Sequence, residues 1–269
     1  SISPGAPPMH IAVCIKQVPD TTEVRIDPER GTLLREGVPA ILNPLDTHAL
    51  EAAVALRERL GGTVTALSMG PTQAESALRE AVALGCDRAV LLTDRAFAGA
   101  DTWSTSYALA CAVRTIGDVR LVVCGKQAID GDTAQVGPGV AAHLGWPQAT
   151  YVRAIRKANP DALVVERLTD YGDEALRVPL PAVLTVLKDL NVPRLPSLAS
   201  QMRARRCPIE RLGARGVDGD PAEFGLEGSP TRVVRVATPP PRGECTIWEG
   251  EPESVAARLV QTLQEKKLI

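Results

Sequence analysis

Short apolar runs alternate with helix-forming segments over the first half of the chain, and this alternation constrains the fold more than any other feature. Four runs, at residues 10–15, 63–69, 88–93 and 119–124, are apolar almost throughout. A segment with helical spacing of its apolar residues follows each run. Strands without polar alternation are buried on both faces, and strands that alternate with helices pair in parallel. The pattern therefore predicts an α/β fold with a parallel sheet flanked by helices.

The helical segments carry ordinary boundary signals. The first helix is predicted to start at Thr47 and to end on Gly61. The second has Pro71 near its first turn and Gly85 just past its end, which is the expected asymmetry of helix termini. The last helix of the series is predicted from about Ala134.

After Trp146 the pattern changes. Four strand-like runs between residues 150 and 189 are separated by the turn-forming segments NPD, YGD and PLP. This arrangement favours an antiparallel meander attached to the parallel sheet. From Val192 the chain is rich in proline and glycine and poor in apolar clusters. Such an arm needs a surface to pack on, either the protein's own body or a partner subunit.

These changes divide the chain into three parts. Residues 1–8 are expected to be a leader or cloning remnant, with Met9 as the native start. Residues 9–192 form the α/β domain, and residues 193–269 form the arm. The arm ends in an amphipathic helix whose apolar face carries Val255, Leu259, Val260 and Leu263.

The composition excludes several classes of function. The net charge is −2 and aromatic residues make up 3% of the chain, so no surface for nucleic acid is expected. The apolar runs are too short for membrane insertion. The six cysteines and three histidines are scattered, which argues against a metal site and for a reducing cytoplasm. Cys14, Cys111 and Cys124 are predicted to be small buried apolar residues.

Four unusual loops follow the carboxyl ends of the predicted strands, where open α/β sheets bind ligands. The last, GKQAIDGDTAQVGP at residues 125–138, places glycines and two aspartates between a strand and a helix. Gly131 is predicted to adopt a positive φ, which would let the backbone approach a ligand closely. Free amides near residues 133–136 are predicted to receive a phosphate oxygen. Together these loops favour a nucleotide site.

The charged residues of these loops have distinct expected roles. Asp130 and Asp132 would repel a phosphate, so they are expected to accept bonds from ribose hydroxyls or loop amides. Helix capping is the alternative for Asp132. Lys16 and Lys126 are candidates for offsetting phosphate charge, and an ordinary solvated lysine is the alternative for each.

Several catalytic and phosphate-binding motifs are missing from the sequence. It lacks the G-x-x-x-x-G-K-[ST] phosphate loop and a G-x-G-x-x-G fingerprint after the first strand. No Ser/His/Asp or Cys/His set matches a known signature. We therefore expect a site that holds a nucleotide without acid–base chemistry from side chains, and we name no catalytic residue.

Six motifs arrive in an order that resembles the β subunit of electron-transfer flavoproteins. They are VCIKQVPDTTEV, NPLDTHALEAA, LSMGP, GADTWSTS, CGKQAIDGDTAQVGP and LPAVLTVLKDLNVPRLPSL. The resemblance runs from Met9 to the C-terminus. It implies an adenine-nucleotide α-hydrolase-like fold, an α subunit that carries one FAD, and a C-terminal arm that embraces this partner.

The 125–138 loop also distinguishes two branches of that family. In simple members it resembles DDDCNQTG, and the β subunit holds a structural AMP. The present DGDTAQVGP, together with GTLLREGV and RAFAGADT, is similar to the electron-bifurcating branch. There the β-subunit FAD takes electrons from NADH. One reaches ferredoxin or flavodoxin, and the other passes through the α-subunit FAD to an acyl-CoA dehydrogenase.

Two alternatives to the bifurcating branch stay open. One is the AMP-holding simple subunit. The other is a stand-alone nucleotide-binding regulator similar to universal stress proteins, although the unusual tail argues against it.

The resemblance also implies site residues. Those expected to line the nucleotide pocket are Cys14, Ile15, Lys16, Asn43, Met69, Gly70, Gly125, Lys126, Gln127, Ala128, Asp130, Gly131, Asp132, Thr133, Ala134, Gln135, Val136 and Gly137. Thr102 and Ser104 are candidates for the flavin end. The segment 194–206 resembles a loop that docks dehydrogenases, with Leu198 as its anchor and Arg203 and Arg205 as a basic rim. An ordinary exposed leucine is the alternative for Leu198.

Overall fold

A computed structural model describes residues 8–20, 25–26, 33–34, 39–234 and 245–269. The predictions for residues 1–7, and most of the GTLLREGV motif at 31–38, lie outside the described residues. The chain divides into two compact units, Ser1–Val234 and Arg235–Ile269.

The described residues form thirteen strands and six α-helices. The strands are β1 (His10–Cys14), β2 (Gln17–Pro19), β3 (Arg25–Ile26), β4 (Leu33–Leu34), β5 (Ala40–Leu42), β6 (Thr63–Met69), β7 (Arg88–Leu92), β8 (Val119–Gly125), β9 (Gln148–Ala158), β10 (Ala162–Thr169), β11 (Gly172–Pro179), β12 (Ala182–Val186) and β13 (Ile209–Leu212). The helices are α1 (Pro44–Leu60), α2 (Glu75–Leu84), α3 (Thr102–Ile116), α4 (Val136–Leu144), α5 (Leu198–Arg206) and α6 (Pro252–Glu265).

A nine-stranded sheet forms the centre of the first unit, in the order β11-β10-β9-β12-β8-β1-β6-β7-β13. Seven of these strands, β9-β12-β8-β1-β6-β7-β13, pair in parallel with their neighbours in that row. Residues of α1 and α2 pack with one face of the sheet, and residues of α3 and α4 with the other. The α/β fold with a parallel sheet flanked by helices is confirmed.

The core also shows where the predicted cysteines lie. Cys14, Cys111 and Cys124 are buried and carry free thiols, as predicted. Cys14 and Cys124 are register partners on the neighbouring strands β1 and β8. Within the described part of the chain, no helix is long and apolar enough to span a bilayer.

The starts of α1 and α4 differ from the predicted ones. The helix α1 starts at Pro44 rather than Thr47, because proline at the first position of a helix costs no intrahelical hydrogen bond. The helix α4 starts at Val136 rather than Ala134, because Ala134 has a φ of +56° and cannot continue a right-handed helix. The predicted end of α2 before Gly85 is confirmed.

The predicted antiparallel meander is confirmed only in part. The strand β10 pairs antiparallel with both β9 and β11. The strand β12 instead returns to the parallel sheet, between β8 and β9. All five residues of Ala182–Val186 are buried, and a strand buried on both faces belongs inside a covered parallel sheet.

The first unit extends beyond the boundary predicted at Val192. The strand β13 pairs in parallel with β7 at the edge of the sheet. The helix α5 packs on α2, and Phe224 packs edge-on against Phe97, with 5.1 Å between ring centroids. These contacts bring residues 193–234 into the first unit. In the second unit, α6 has no buried residue, and Leu259 and Val260 are exposed.

Candidate functional site

The connections that leave β1 and β8 create a crevice at the carboxyl edge of the sheet. These strands are neighbours, but β1 leads to α1 on one face and β8 leads to α4 on the other. A crevice opens where two adjacent connections diverge in this way, and open α/β sheets bind their ligands there. The predicted segments Cys14–Lys16 and Gly125–Gly137 both lie at this point.

The buried Asn43 joins the loop after β8 to the end of β1 through hydrogen bonds. Its side-chain Nδ2 donates to the carbonyl of Gln127 at 2.9 Å, and its Oδ1 accepts from the N–H of Ile129 at 3.2 Å. Its backbone N–H donates to the carbonyl of Lys16 at 2.9 Å. The predicted pocket residue Asn43 therefore uses its amide to hold the loop after β8 against the end of β1.

Asp46 was not predicted as a site residue, yet it forms hydrogen bonds with Asn43 and with the backbone of Lys16 and Gly125. Its Oδ2 accepts from the N–H of Lys16 at 2.8 Å, and the side chain is buried. Burial raises the pKa of Asp46 to about 7, although hydrogen bonds from Asn43, Lys16 and Gly125 favour the ionised form. The sequence does show an acidic residue in the first turn of α1. Acidic residues are common there because they interact favourably with the helix dipole, so this position alone did not indicate a site residue.

Gly125 is required by this packing. A Cβ atom at Gly125 would lie 2.4 Å from Oδ1 of Asp46 and 2.8 Å from the carbonyl carbon of Leu45. Only a glycine allows β8 to approach the start of α1 so closely. Cys14 and Ile15 are themselves buried, so the end of β1 offers mainly its backbone to the crevice.

Lys16 and Asp130 form an ion pair across the crevice. The Nζ of Lys16 lies 2.7 Å from Oδ1 and 2.8 Å from Oδ2 of Asp130. The two residues were predicted to meet different parts of a ligand, the phosphate and the ribose. In this structure each cancels the charge of the other, and both remain accessible to solvent.

The predicted positive φ at Gly131 is wrong. The left-handed residues are Asp132 at φ 54° and Ala134 at φ 56°, and a Cβ atom on Gly131 would meet no atom of the described residues within 4 Å. Aspartate tolerates this conformation better than most residues. The side chain of Gln127 donates to the Asp132 carboxylate and holds it there. Asp132 does not cap α4, whose N-cap residue is Gln135.

The start of α4 is shaped to receive an anion. Ala134 is left-handed and Gln135 is right-handed, an alternation that makes successive N–H groups converge on an anion. No side chain among the described residues caps α4 at Gln135. Pro138 is the third residue of the helix, where the missing N–H costs no intrahelical bond. The backbone at residues 134–137 therefore fits a phosphate group.

Gly137 brings this helix start against the sheet. A Cβ atom on Gly137 would lie 2.3 Å from Cγ2 of the buried Thr185 on β12. Gln127 and Ala128 are half-buried and lead into the loop, whereas Asp130 and Thr133 are exposed. The predicted residues of the 125–137 segment thus run continuously from the end of β8 to the start of α4.

The remaining predicted residues lie on neighbouring elements. Met69 ends β6, the other neighbour of β1, and Gly70 follows it and donates its N–H to the carbonyl of Leu92 at 3.0 Å. Thr102 is the half-buried first residue of α3. Ser104 is fully buried, and its hydroxyl donates to the carbonyl of Glu223 at 2.8 Å. The Ser104 hydroxyl is therefore engaged within the protein rather than open to a flavin.

The predicted docking residues lie on α5. Leu198 begins this helix and is 75% exposed, and Arg205 is exposed on its last turn. The guanidinium of Arg203 donates to the carbonyl of Val82 at 3.1 Å, so Arg203 also ties α5 to α2. Leu195 and Met202, which lie near Leu198 in the sequence, are also exposed, and these two residues were not predicted.

Comparison with known proteins identifies relatives over nearly the full chain. The electron transfer flavoprotein domain family matches residues 30–215. The electron transfer flavoprotein subunit beta of Thermoanaerobacterium thermosaccharolyticum is 51% identical over 262 residues, covering 97% of this chain and 100% of the relative. The caffeyl-CoA reductase-Etf complex subunit CarD of Acetobacterium woodii is 47% identical over 263 residues, with coverage of 97% and 100%. Protein FixA of Bradyrhizobium diazoefficiens is 47% identical over 263 residues, with coverage of 95% and 91%.

Proposed function

Because this chain belongs to the electron transfer flavoprotein family as a β subunit, we propose that it pairs with an α subunit and holds FAD in the crevice between β1 and β8. The observation that carries this proposal is the start of α4. There a left-handed Ala134 precedes a helix terminus that no described side chain caps, and the backbone of residues 134–137 is proposed to offer N–H groups to a diphosphate.

FAD supplies the redox chemistry of this proposal, as a two-electron acceptor that also passes single electrons. The residues of this chain bind and orient it. The backbone at the start of α4 holds the diphosphate, and Lys126 offsets its charge. Asn43 and Asp46 hold the loop after β8 against the end of β1, so the wall of the crevice keeps its shape.

We further propose that the complex is electron-bifurcating. NADH is the electron donor, and ferredoxin or flavodoxin is one acceptor. The second route runs through the α-subunit FAD to an acyl-CoA dehydrogenase. The departures of the loop from the AMP-type sequence at Gly131, Thr133, Ala134 and Val136 support this branch. The 47% identity to a subunit of a caffeyl-CoA reductase-Etf complex supports a partner that acts on a CoA ester.

The acyl-CoA dehydrogenase is proposed to dock on the exposed apolar patch of Leu195, Leu198 and Met202. Arg194, at the start of the 194–206 segment, forms ion pairs with Glu51 and Glu58, with N–O distances of 2.8 and 2.7 Å. Arg79 fixes the far end by donating to the carbonyls of residues 204, 205 and 207. An apolar patch held in place on both sides needs little ordering when a partner binds.

The experiment that tests the cofactor is a count of nucleotides in the purified α/β complex. After denaturation, released FAD and AMP are separated by chromatography and quantified against protein. Two FAD per complex support the β-subunit FAD. One FAD and one AMP would instead establish the simple, AMP-holding branch. Oxidation of NADH by the complex, coupled to reduction of ferredoxin or flavodoxin, then tests bifurcation separately.

The alternative hypothesis, a stand-alone nucleotide-binding regulator, gains no support from the comparisons. The relatives reported above include a subunit of a named complex, and they align with this chain over more than nine-tenths of its length.

A further inference from the structure

Tyr151 lies at the carboxyl edge of the sheet in a strained backbone conformation. Its φ is 56°, in the left-handed region that bulky aromatic residues rarely adopt. The register between β9 and β12 shifts at this position. Leu184 pairs with Ala149, but Val186, two residues on, pairs with Val152, three residues on. The strand β9 therefore carries one extra residue, as in a β-bulge. Strain of this kind costs free energy and often marks a functional position.

Thr185 holds Tyr151 in this conformation. The N–H of Tyr151 donates to Oγ1 of Thr185 at 3.2 Å, and Thr185 is buried on β12. The methyl group of Thr185 is also the atom that leaves no room for a Cβ on Gly137. One side chain thus contacts both the bulge at Tyr151 and the start of α4, so the bulge is directly connected to the proposed phosphate site.

The bulge turns the ring of Tyr151 toward Lys126. The Nζ of Lys126 lies 5.2 Å from the ring centroid, within the range of a cation–π interaction. Lys126 directly follows β8, and its backbone N–H donates to the carbonyl of Val186 at 2.9 Å. Among the residues that the structure describes, no carboxylate pairs with this ammonium, whereas Asp130 cancels the charge of Lys16. Lys126 therefore keeps its positive charge available to a ligand.

We propose that Tyr151 is a positioning residue of the nucleotide site, which holds the Lys126 ammonium for the phosphate groups of an adenine nucleotide. This inference rests on the proposed function of the crevice. A ring beneath the ammonium restricts a long, flexible side chain without neutralising it, so less conformational entropy is lost when the ligand binds. A nucleoside without phosphates gains nothing from this arrangement.

The test uses the α/β complex after removal of its bound nucleotide, with ADP and adenosine as calorimetric probes. Tyr151→Leu is expected to weaken ADP binding about 3- to 10-fold, since it removes the ring face. It should leave adenosine binding unchanged. Tyr151→Phe keeps the ring and should bind ADP as the wild type does. Lys126→Gln should weaken ADP binding to a similar extent, and the double variant should lose no more than Lys126→Gln alone.

Three results would overturn the positioning role. They are wild-type ADP affinity in Tyr151→Leu, equal loss of ADP and adenosine affinity, and additive losses in the double variant. If Tyr151→Leu fails to fold, Tyr151→Asn replaces it, because asparagine lacks the ring and tolerates the left-handed φ of this position, and it should weaken the binding of ADP but not of adenosine. A wild-type complex that binds neither ADP nor FAD would overturn the proposed function as well, whereas normal FAD binding with unaffected variants overturns only the role of Tyr151.

Discussion

The Nζ atom of Lys16 lies 2.7 Å from Oδ1 of Asp130, across the crevice between the loops that follow β1 and β8. The pair joins residues 114 positions apart in the sequence, and its carboxylate belongs to the same loop as the proposed phosphate site. Both side chains are partly exposed, so the pair contributes little to stability. Its consequence is local, because it removes one positive charge from the surroundings of an anionic ligand.

Asp130→Asn is therefore expected to tighten ADP binding about 2- to 5-fold at low salt, because it releases the charge of Lys16. The gain should shrink at high salt, where exposed charges are screened. Calorimetric titration of the α/β complex at two salt concentrations measures both effects. Lys16→Gln is the matched control and should weaken binding. Weaker ADP binding by Asp130→Asn would mean that the carboxylate itself contacts the ligand.

Gly125→Ala and Gly131→Ala form a matched pair. At Gly125 the added Cβ would lie 2.4 Å from Asp46 and 2.8 Å from backbone of Leu45, so β8 and α1 must separate. We expect a loss of about 1–3 kcal/mol in the free energy of unfolding, together with loss of the β-subunit nucleotide. At Gly131 the added Cβ would meet no atom in the described part of the chain and φ is not left-handed, so stability should be unchanged or rise slightly. Urea denaturation compares them, and equal stabilities would contradict the close approach at Gly125.

The raised pKa of Asp46 predicts a pH dependence of stability. Burial lifts the folded-state pKa from its ordinary value to about 7, so between about pH 4 and 7 the folded state binds more protons than the unfolded state. Stability from this group is present at low pH and falls as the pH rises through that window, by up to about 2 kcal/mol between pH 5 and 7. Unfolding of the wild type and Asp46→Asn at both pH values measures the difference. Identical pH slopes would show that Asp46 stays ionised.

Leu198→Ala is expected to weaken docking of the acyl-CoA dehydrogenase while leaving flavin content intact. Loss of an apolar anchor typically costs about 2 kcal/mol or more of binding free energy. The measurement is electron transfer to the dehydrogenase at subsaturating concentrations. Tyr171→Ala, another exposed apolar residue between β10 and β11, is the control. Arg205→Glu tests the basic rim more cleanly than a change at Arg203, which also ties α5 to α2. Unchanged transfer by Leu198→Ala would move the docking site elsewhere.

The terminal helix α6 is expected to pack against the α subunit. None of its residues is buried in the second unit, although its apolar residues share one face. Leu259→Asp should therefore prevent co-purification of the α subunit, whereas Gln261→Asp on the opposite face should not. Pull-down from cells that express both subunits measures this. A stable, flavin-loaded β subunit without its partner would contradict the prediction.

The sequence by itself determined the local features of this protein. Continuous apolar runs and helical spacing identified β1, β6, β7, β8 and the helices between them, because a strand buried on both faces has no polar alternation. Gly85 marked the end of α2, since a glycine just past the last turn is a local signal that ends a helix. The order of the loops along one sheet edge also located the crevice, because the carboxyl ends of parallel strands meet there.

Only the tertiary structure decided what the residues at that edge do. Asn43 accepts a hydrogen bond from the N–H of Ile129, 86 positions away, and Asp46 leaves no room for a side chain at Gly125. These contacts depend on the parallel register of β1 and β8. The left-handed turn falls on Asp132 and Ala134 rather than on Gly131, because the Gln127 contact and the docking of α4 on Thr185 set the path of the loop. Packing between segments that are distant in sequence leaves no periodic signal along the chain, and for that reason the fold could be predicted while the geometry of the site could not.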